Sequence, residues 1–137
     1  MPKGDVLISP THQSIDGRIL QKLFILLSDP QKTNSYVLAI TTSKKKNWRL
    51  DKRGCHGQAG GDGYYVFKKG DDWFSEETTW ILFDSIETLT FDDIQNANLI
   101  GNLKKAAQLK TNNIQAVINC VKSWPHTNGF IIDLISK

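Results

Sequence analysis

Residues 22–46 read KLFILLSDPQKTNSYVLAITTSKKK. Two apolar runs, Leu23 to Leu27 and Tyr36 to Ile40, flank Asp29-Pro30 and Asn34-Ser35, residue types that open and close turns. The first run is continuously apolar, as a strand buried on both faces is, and the two runs together are expected to form an antiparallel hairpin. The second run stops in three hydroxyl residues, Thr41, Thr42 and Ser43, with Lys44, Lys45 and Lys46 directly behind them. Why a core strand ends in hydroxyls and cations is the question on which the function turns.

Outward from the hairpin, the strand period continues. Gly4 to Ser9 places Val6 and Ile8 on one face, while Tyr64 to Phe67 and Thr78 to Phe83 are rich in aromatic and β-branched residues. Lys69-Gly70-Asp71-Asp72 separates those last two runs, and Gly54, Gly57, Gly60 and Gly61 mark the preceding stretch as a loop. The later sequence changes period. Thr90 with Asp93 has capping-box spacing before a short helical turn, and Asn112 with Gln115 opens a stronger one. Ile114, Val117, Ile118 and Val121 then recur at helical spacing, giving an amphipathic helix that ends before Pro125 and docks on the sheet. Phe130 to Ile135 is expected to be extended, and residues 99–110 suit either helix or strand. A chain of 137 residues has room for one hydrophobic core, so 1–137 is taken as a single domain. Short strands followed by a late helix predict an α+β fold, a small, strongly bent antiparallel sheet or barrel with a C-terminal amphipathic helix.

The net charge of +3 is unevenly placed. Residues 44–53 hold Lys44, Lys45, Lys46, Arg49, Lys52 and Arg53 against Asp51, a local charge of +5 that leaves −2 on the rest. Such a cluster serves either as a solvated loop or as a polyanion-binding one. The N-terminus lacks an apolar h-region and no apolar run is long enough to span a bilayer, which predicts a cytoplasmic protein without a membrane partner. Cys55 and Cys120 are the only possible pair; their spacing suggests neither a disulfide framework, a zinc site nor a redox motif, so both are expected to be reduced, with Cys120 in the core. His56 follows Cys55 without further metal-ligating residues nearby, and neither a metal nor a cofactor is called for. His126, after Pro125, is expected in a turn. Trp48, among cations, either stacks a nucleobase or folds back onto the protein.

The order Gly4-Asp5-Val6-Leu7-Ile8, polar loop Pro10 to Gly17, Lys22 leading Leu23 to Ser28, and Ile40 to Lys44 resembles the PemK/MazF-like toxins over residues 4–46. Gly70-Asp71-Asp72-Trp73-Phe74 ahead of Thr79-Trp80-Ile81, with the C-terminal helix, resembles a divergent, often phage-associated branch of that superfamily. The resemblance implies an SH3-like barrel, commonly homodimeric, that cleaves single-stranded RNA by metal-independent transesterification and is countered by an antitoxin protein. It implies catalytic roles for Lys22, Thr42 and Ser43, with Arg18 or His12 handling a proton, while the local charge of +5 points to RNA binding by Lys44, Lys45, Lys46, Trp48, Arg49 and Arg53. Internal attack by a ribose 2′-hydroxyl needs a base, an acid, and donors and cations around a dianionic phosphorane. On that reading the hydroxyls end the strand because a phosphate sits there.

The chain departs from the family pattern at Gln21-Lys22-Leu23, where an Arg-Pro pair is usual; lysine keeps the charge and loses the planar fork. A barrel that has lost catalysis and binds nucleic acid or a protein partner in a mobile-element regulatory pair is the alternative expectation. A metabolic or signalling enzyme is disfavoured, since the sequence carries no phosphate-binding glycine loop or nucleophile motif.

Overall fold

The computed structural model describes residues 2–13, 19–72, 78–90, 92 and 104–137, with the side chains of 9–13 and 19–22 excepted. Its strands are β1 (Asp5–Gln13), β2 (Ile19–Leu26), β3 (Ser35–Thr42), β4 (Gly54–His56), β5 (Tyr64–Phe67), β6 (Thr79–Thr90) and β7 (Lys104–Gln108). Three helices are described: α1 (Pro30–Thr33), α2 (Thr111–Ser123) and α3 (Gly129–Ile135).

The expected hairpin is β2–β3, in which Phe24 pairs with Ile40, Ile25 with Ala39 and Leu26 with Leu38. Its turn contains α1, a single helical turn that Pro30 opens and Asn34 closes in the left-handed conformation at φ 56°. Ser28, fully buried, locks the turn by donating to the Ser35 carbonyl at 2.8 Å and accepting from the Val37 amide at 3.0 Å. Among the described residues all strand pairs are antiparallel, in the order β4-β5-β6-β3-β2-β1-β7.

Both faces of the central strands are covered, which is why their sequences do not alternate. On one face Val6, Ile25, Leu27, Val37, Ala39, Ile81 and Phe83 pack against Ile114, Val117, Ile118 and Val121 of α2 and Leu134 and Ile135 of α3. On the other, Leu7, Phe24, Leu26, Tyr36 and Leu38 form a separate buried cluster, and Tyr64, Val66 and Trp80 a third. Each fully buried aliphatic or aromatic side chain contributes about 1.5–3 kcal/mol relative to exposure. Asp5 is the charged residue inside this core: fully buried, its carboxylate accepts no hydrogen bond among the described residues and lies 3.4 Å from Lys105 Nζ.

The α+β class and the amphipathic helix α2 are as expected, and the barrel is not. The sheet stays open, with β4 and β7 at opposite edges. Two helices, rather than a closing curl of the sheet, cover its apolar face, and edge strand β7 begins with exposed Lys104 and Lys105, which disfavour further strand pairing.

Several boundaries also move. β1 runs to Gln13, so His12 lies in a strand rather than in the loop expected from Pro10 to Gly17. β6 continues past Phe83 to Thr90 because β3 pairs with its far half, Ser35 with Thr90 and Leu38 with Glu87, after a register shift. The Gly-rich stretch contains β4, and residues 104–108 form β7. Helix α2 starts at Thr111, one residue before the expected cap Asn112, and no side chain caps it at Lys110. Phe130 to Ile135 is helical rather than extended, because the Asn128 side chain accepts the Ile131 amide and helical spacing brings Leu134 and Ile135 into the core. Of the short helical turn expected with the Thr90 and Asp93 capping box, Asp92 is described and is helical, and the rest lies outside the described residues, as do Trp73 and Phe74.

The expectation of reduced cysteines is overturned. Cys55 and Cys120 form a disulfide with a Cα–Cα distance of 5.6 Å across 65 residues of chain. Sequence spacing carried no sign of it because β4 and α2 meet only through the packed sheet. Closing so long a loop stabilises the fold by about 4 kcal/mol in the chain-entropy account. Cys120 is in the core, 3 % exposed.

Candidate nucleic-acid interface

The three hydroxyls that end β3 have different fates. Thr41 is buried and donates to the Leu23 carbonyl at 3.1 Å, so its hydroxyl is spent joining β2 to β3. Thr42 is half-buried, and its oxygen accepts the Lys44 amide at 3.2 Å, which leaves the hydroxyl proton available to a ligand. Ser43 is exposed.

The β2–β3 register that pairs Phe24 with Ile40 sets position 22 opposite position 42 when carried two residues further. Ser9 pairs with Lys22 on the other side of β2, and Trp80 with Thr42 on the other side of β3; the β2–β3 pairs themselves end at Phe24–Ile40, and only on that two-residue continuation do positions 9, 22, 42 and 80 fall in one row. His12 pairs with Leu20 beyond a register shift in β1, farther along the β1–β2 pair. Arg18 lies outside the described residues.

From this row the chain leaves as the basic loop. Its tip is a turn in which the Arg49 amide bonds the Lys46 carbonyl at 3.0 Å, carrying Asn47 and Trp48 outward. Trp48 is 63 % exposed and Leu50 62 %, so the indole projects into solvent rather than folding back. The Arg49 guanidinium turns inward to donate to the Lys44 carbonyl at 3.0 Å.

The return leg is pinned to the sheet by side chains that sequence reasoning missed as loop anchors. The Leu50 amide donates to the Tyr64 hydroxyl at 2.8 Å, and the Leu50 carbonyl accepts from the Trp80 indole at 2.9 Å. Lys68 Nζ donates to the Asp51 carbonyl at 3.0 Å. His56 Nε2 meets the Lys52 carbonyl at 2.6 Å, which fixes that nitrogen as the protonated one, and the ring stacks on Tyr64 with centroids 4.8 Å apart. The available signal was the polar tip of each strand aromatic, which seeks a partner when its body is buried.

Arg53 closes the loop by donating from Nε to Asp71 Oδ2 at 2.7 Å. The hydrogen bond and charge of Asp71 raise the Arg53 pKa, and the bond from Arg53 holds the Asp71 carboxyl below its ordinary range. Burial, with the Asp71 charge beside it, raises the Tyr65 phenol. Arg53, Tyr65, Phe67, Asp71 and Asn113 line a cavity of about 340 Å³. Besides the Arg53–Asp71 bond, Asn113 Nδ2 donates to the Asp71 carbonyl at 3.2 Å and to Asp72 Oδ2 at 2.6 Å, and Asp72 Oδ2 also accepts the Lys110 amide at 3.0 Å, so this wall of the cavity braces the turn after β5 against α2.

The loop's cations therefore divide into two sets. Arg49 and Arg53 are bonded within the chain, and Lys45 lies 3.8 Å from Asp51 in an exposed pair worth little. Lys44, Lys46 and Lys52 are exposed with no ion-pair partner among the described residues. The arrangement offers three to four ammonium groups around an exposed indole on a backbone already fixed.

No family model matches the sequence, and no curated protein matches it.

Proposed function

We propose that the protein binds single-stranded RNA through the 44–53 loop, with lysines on the phosphates and Trp48 stacked on a base. The observation that carries this is the pinned loop itself: exposed Trp48 stands among exposed lysines on a backbone anchored by Tyr64, Trp80, Lys68 and His56. A fixed loop has less conformational freedom to lose on binding, and an aromatic face with cations beside it is the recurring platform for unpaired bases. The test is binding of a labelled oligouridylate across a salt series. Replacing Lys44, Lys45 and Lys46 together with Glu is expected to weaken binding and flatten the salt dependence by roughly 0.7 in log–log slope per lost phosphate contact. An unchanged slope rejects the interface.

A second reading adds cleavage, as the PemK/MazF resemblance implies, and the β2–β3 pairing, which runs from Leu26–Leu38 to Phe24–Ile40 towards positions 22 and 42, supports it. A phosphate at that row would meet a cation from Lys22 and a proton donor from Thr42, with Ser43 beside it. Attack by the 2′-hydroxyl would then form a 2′,3′-cyclic phosphate and expel the 5′-oxygen, the protons passing through Arg18 or His12. A toxin of this kind acts in the cytoplasm as a homodimer held in check by an antitoxin. Expression of the chain alone tests it: growth arrest with RNA ending in cyclic phosphate supports cleavage, and intact RNA leaves a binding protein.

A further inference from the structure

The Cys55–Cys120 disulfide sits at one end of the proposed RNA-binding loop. Cys55 is the middle residue of β4, the short edge strand into which the chain runs immediately after Arg53. Among the described strands β4 has one neighbour, β5, through the pairs Gly54–Val66, Cys55–Tyr65 and His56–Tyr64. All its residues are half-buried, and Gly54 within it and Gly57 just beyond hold φ of 106° and 99°. A short, glycine-bounded edge strand sits at the low-stability end of a fold, open to local fraying. The covalent bond to Cys120, on the buried side of α2, ties it to the core. The loop's other leg needs no such tie, because it leaves from β3, which is paired on both sides.

We propose that this disulfide is a redox latch on the loop, an inference that rests on the RNA-binding reading. Oxidised, it holds the return leg and its cations in place. Reduction by a dithiol frees β4, loosens the His56 contacts with Lys52 and Tyr64, and weakens RNA binding. In the chemical step a thiolate of the dithiol attacks the sulfur of Cys55, the half-buried partner. The Cys55–Cys120 bond breaks, and Cys120 departs as a thiolate that takes up a proton. The second thiol of the reductant closes on the mixed disulfide and releases Cys55 as a thiol. Two electrons and two protons pass to the protein, and the reductant becomes a cyclic disulfide. In the cytoplasm, where disulfides are transient and redox-sensing when they form at all, the loop would report thiol status.

The test compares the oxidised protein with the same protein in dithiothreitol, by two readouts. Limited trypsin digestion maps cleavage at Lys44, Lys45, Lys46, Arg49, Lys52 and Arg53 without reference to RNA, and fluorescence anisotropy follows binding of a labelled oligouridylate. Reduction is expected to speed cleavage within residues 44–53 and to weaken binding about fivefold, through the added ordering cost of a loosened loop. Oxidised glutathione should reverse both. Cys55→Ser should behave as the reduced protein and ignore dithiothreitol. Equal cleavage of the loop in both states overturns the latch, and so does loop cleavage that rises no more than cleavage of the rest of the chain, which is the general loss of stability expected from any disulfide closing so long a loop. Faster loop cleavage with undiminished RNA affinity overturns the coupling. Absence of RNA binding in both states overturns the RNA-binding reading instead, and the digestion pattern alone then decides whether the latch exists.

Discussion

Arg53 Nε lies 2.7 Å from Asp71 Oδ2, so the last cation of the basic loop is bonded to the turn after β5. Asp71 Oδ2 also accepts the Lys68 amide at 2.8 Å. Because Asp71 titrates lower in the folded protein than in the unfolded chain, it adds stability that is fully present above the unfolded value of about 4 and is lost as pH falls through the lower folded value. Thermal melts of the wild type and Asp71→Asn should therefore differ by a constant amount from pH 7 down to about 5, and converge below about 4. A difference that persists unchanged to the lowest pH would remove the ion pair from the account.

Trp48→Ala should weaken oligouridylate binding by about 1–3 kcal/mol, the range for losing one stacked base. The melting temperature should stay the same, because the side chain is 63 % exposed. Loss of affinity accompanied by a large fall in melting temperature would show the indole to be structural.

If the row at positions 22 and 42 holds a reacting phosphate, Lys22→Ala and Thr42→Val should each slow cleavage by about a hundredfold, the scale of losing one preorganised donor. Thr42→Ser retains the hydroxyl and the bond to the Lys44 amide, and should retain activity. Lys22→Arg restores the planar fork and should raise the rate. Cyclic-phosphate ends counted by mass spectrometry decide the matter, and chelators should change nothing.

A Cβ on Gly63 would meet the Trp124 indole at 2.7 Å, and that ring is fixed by its own bond from Nε1 to the Gly61 carbonyl at 3.0 Å. Gly63→Ala should cost about 1–3 kcal/mol by overpacking. Gly129→Ala, in the first turn of α3 with open space around it, should be neutral or stabilising by up to about 1 kcal/mol. Urea unfolding of the two variants checks the contrast.

The β2–β3 hairpin was legible because its information is local: two apolar runs and the Asp29-Pro30 and Asn34-Ser35 punctuation lie within a short stretch. Helix α2 was legible for the same reason, from the spacing of Ile114, Val117, Ile118 and Val121, all of them buried. The concentration of charge at 44–53 needed no folding to be seen. What sequence alone did not determine depends on residues far apart in the chain. Phe130 to Ile135 is apolar almost throughout, so periodicity does not separate strand from helix; the Asn128 cap and the burial of Leu134 and Ile135 decide for helix, leaving Phe130 62 % exposed. β4 and β7 have little strand character of their own and exist because β5 and β1 offer them an edge. Cys55 and Cys120 meet only once β4 and α2 have packed across the sheet. Which cations of the loop remain free was likewise settled by tertiary partners: Asp71 takes Arg53, while Tyr64 and Trp80 hold the Leu50 backbone that sets the loop's course. Local propensity is written in neighbouring residues, whereas these contacts form only after long loops have closed, and no short window of sequence carries that information.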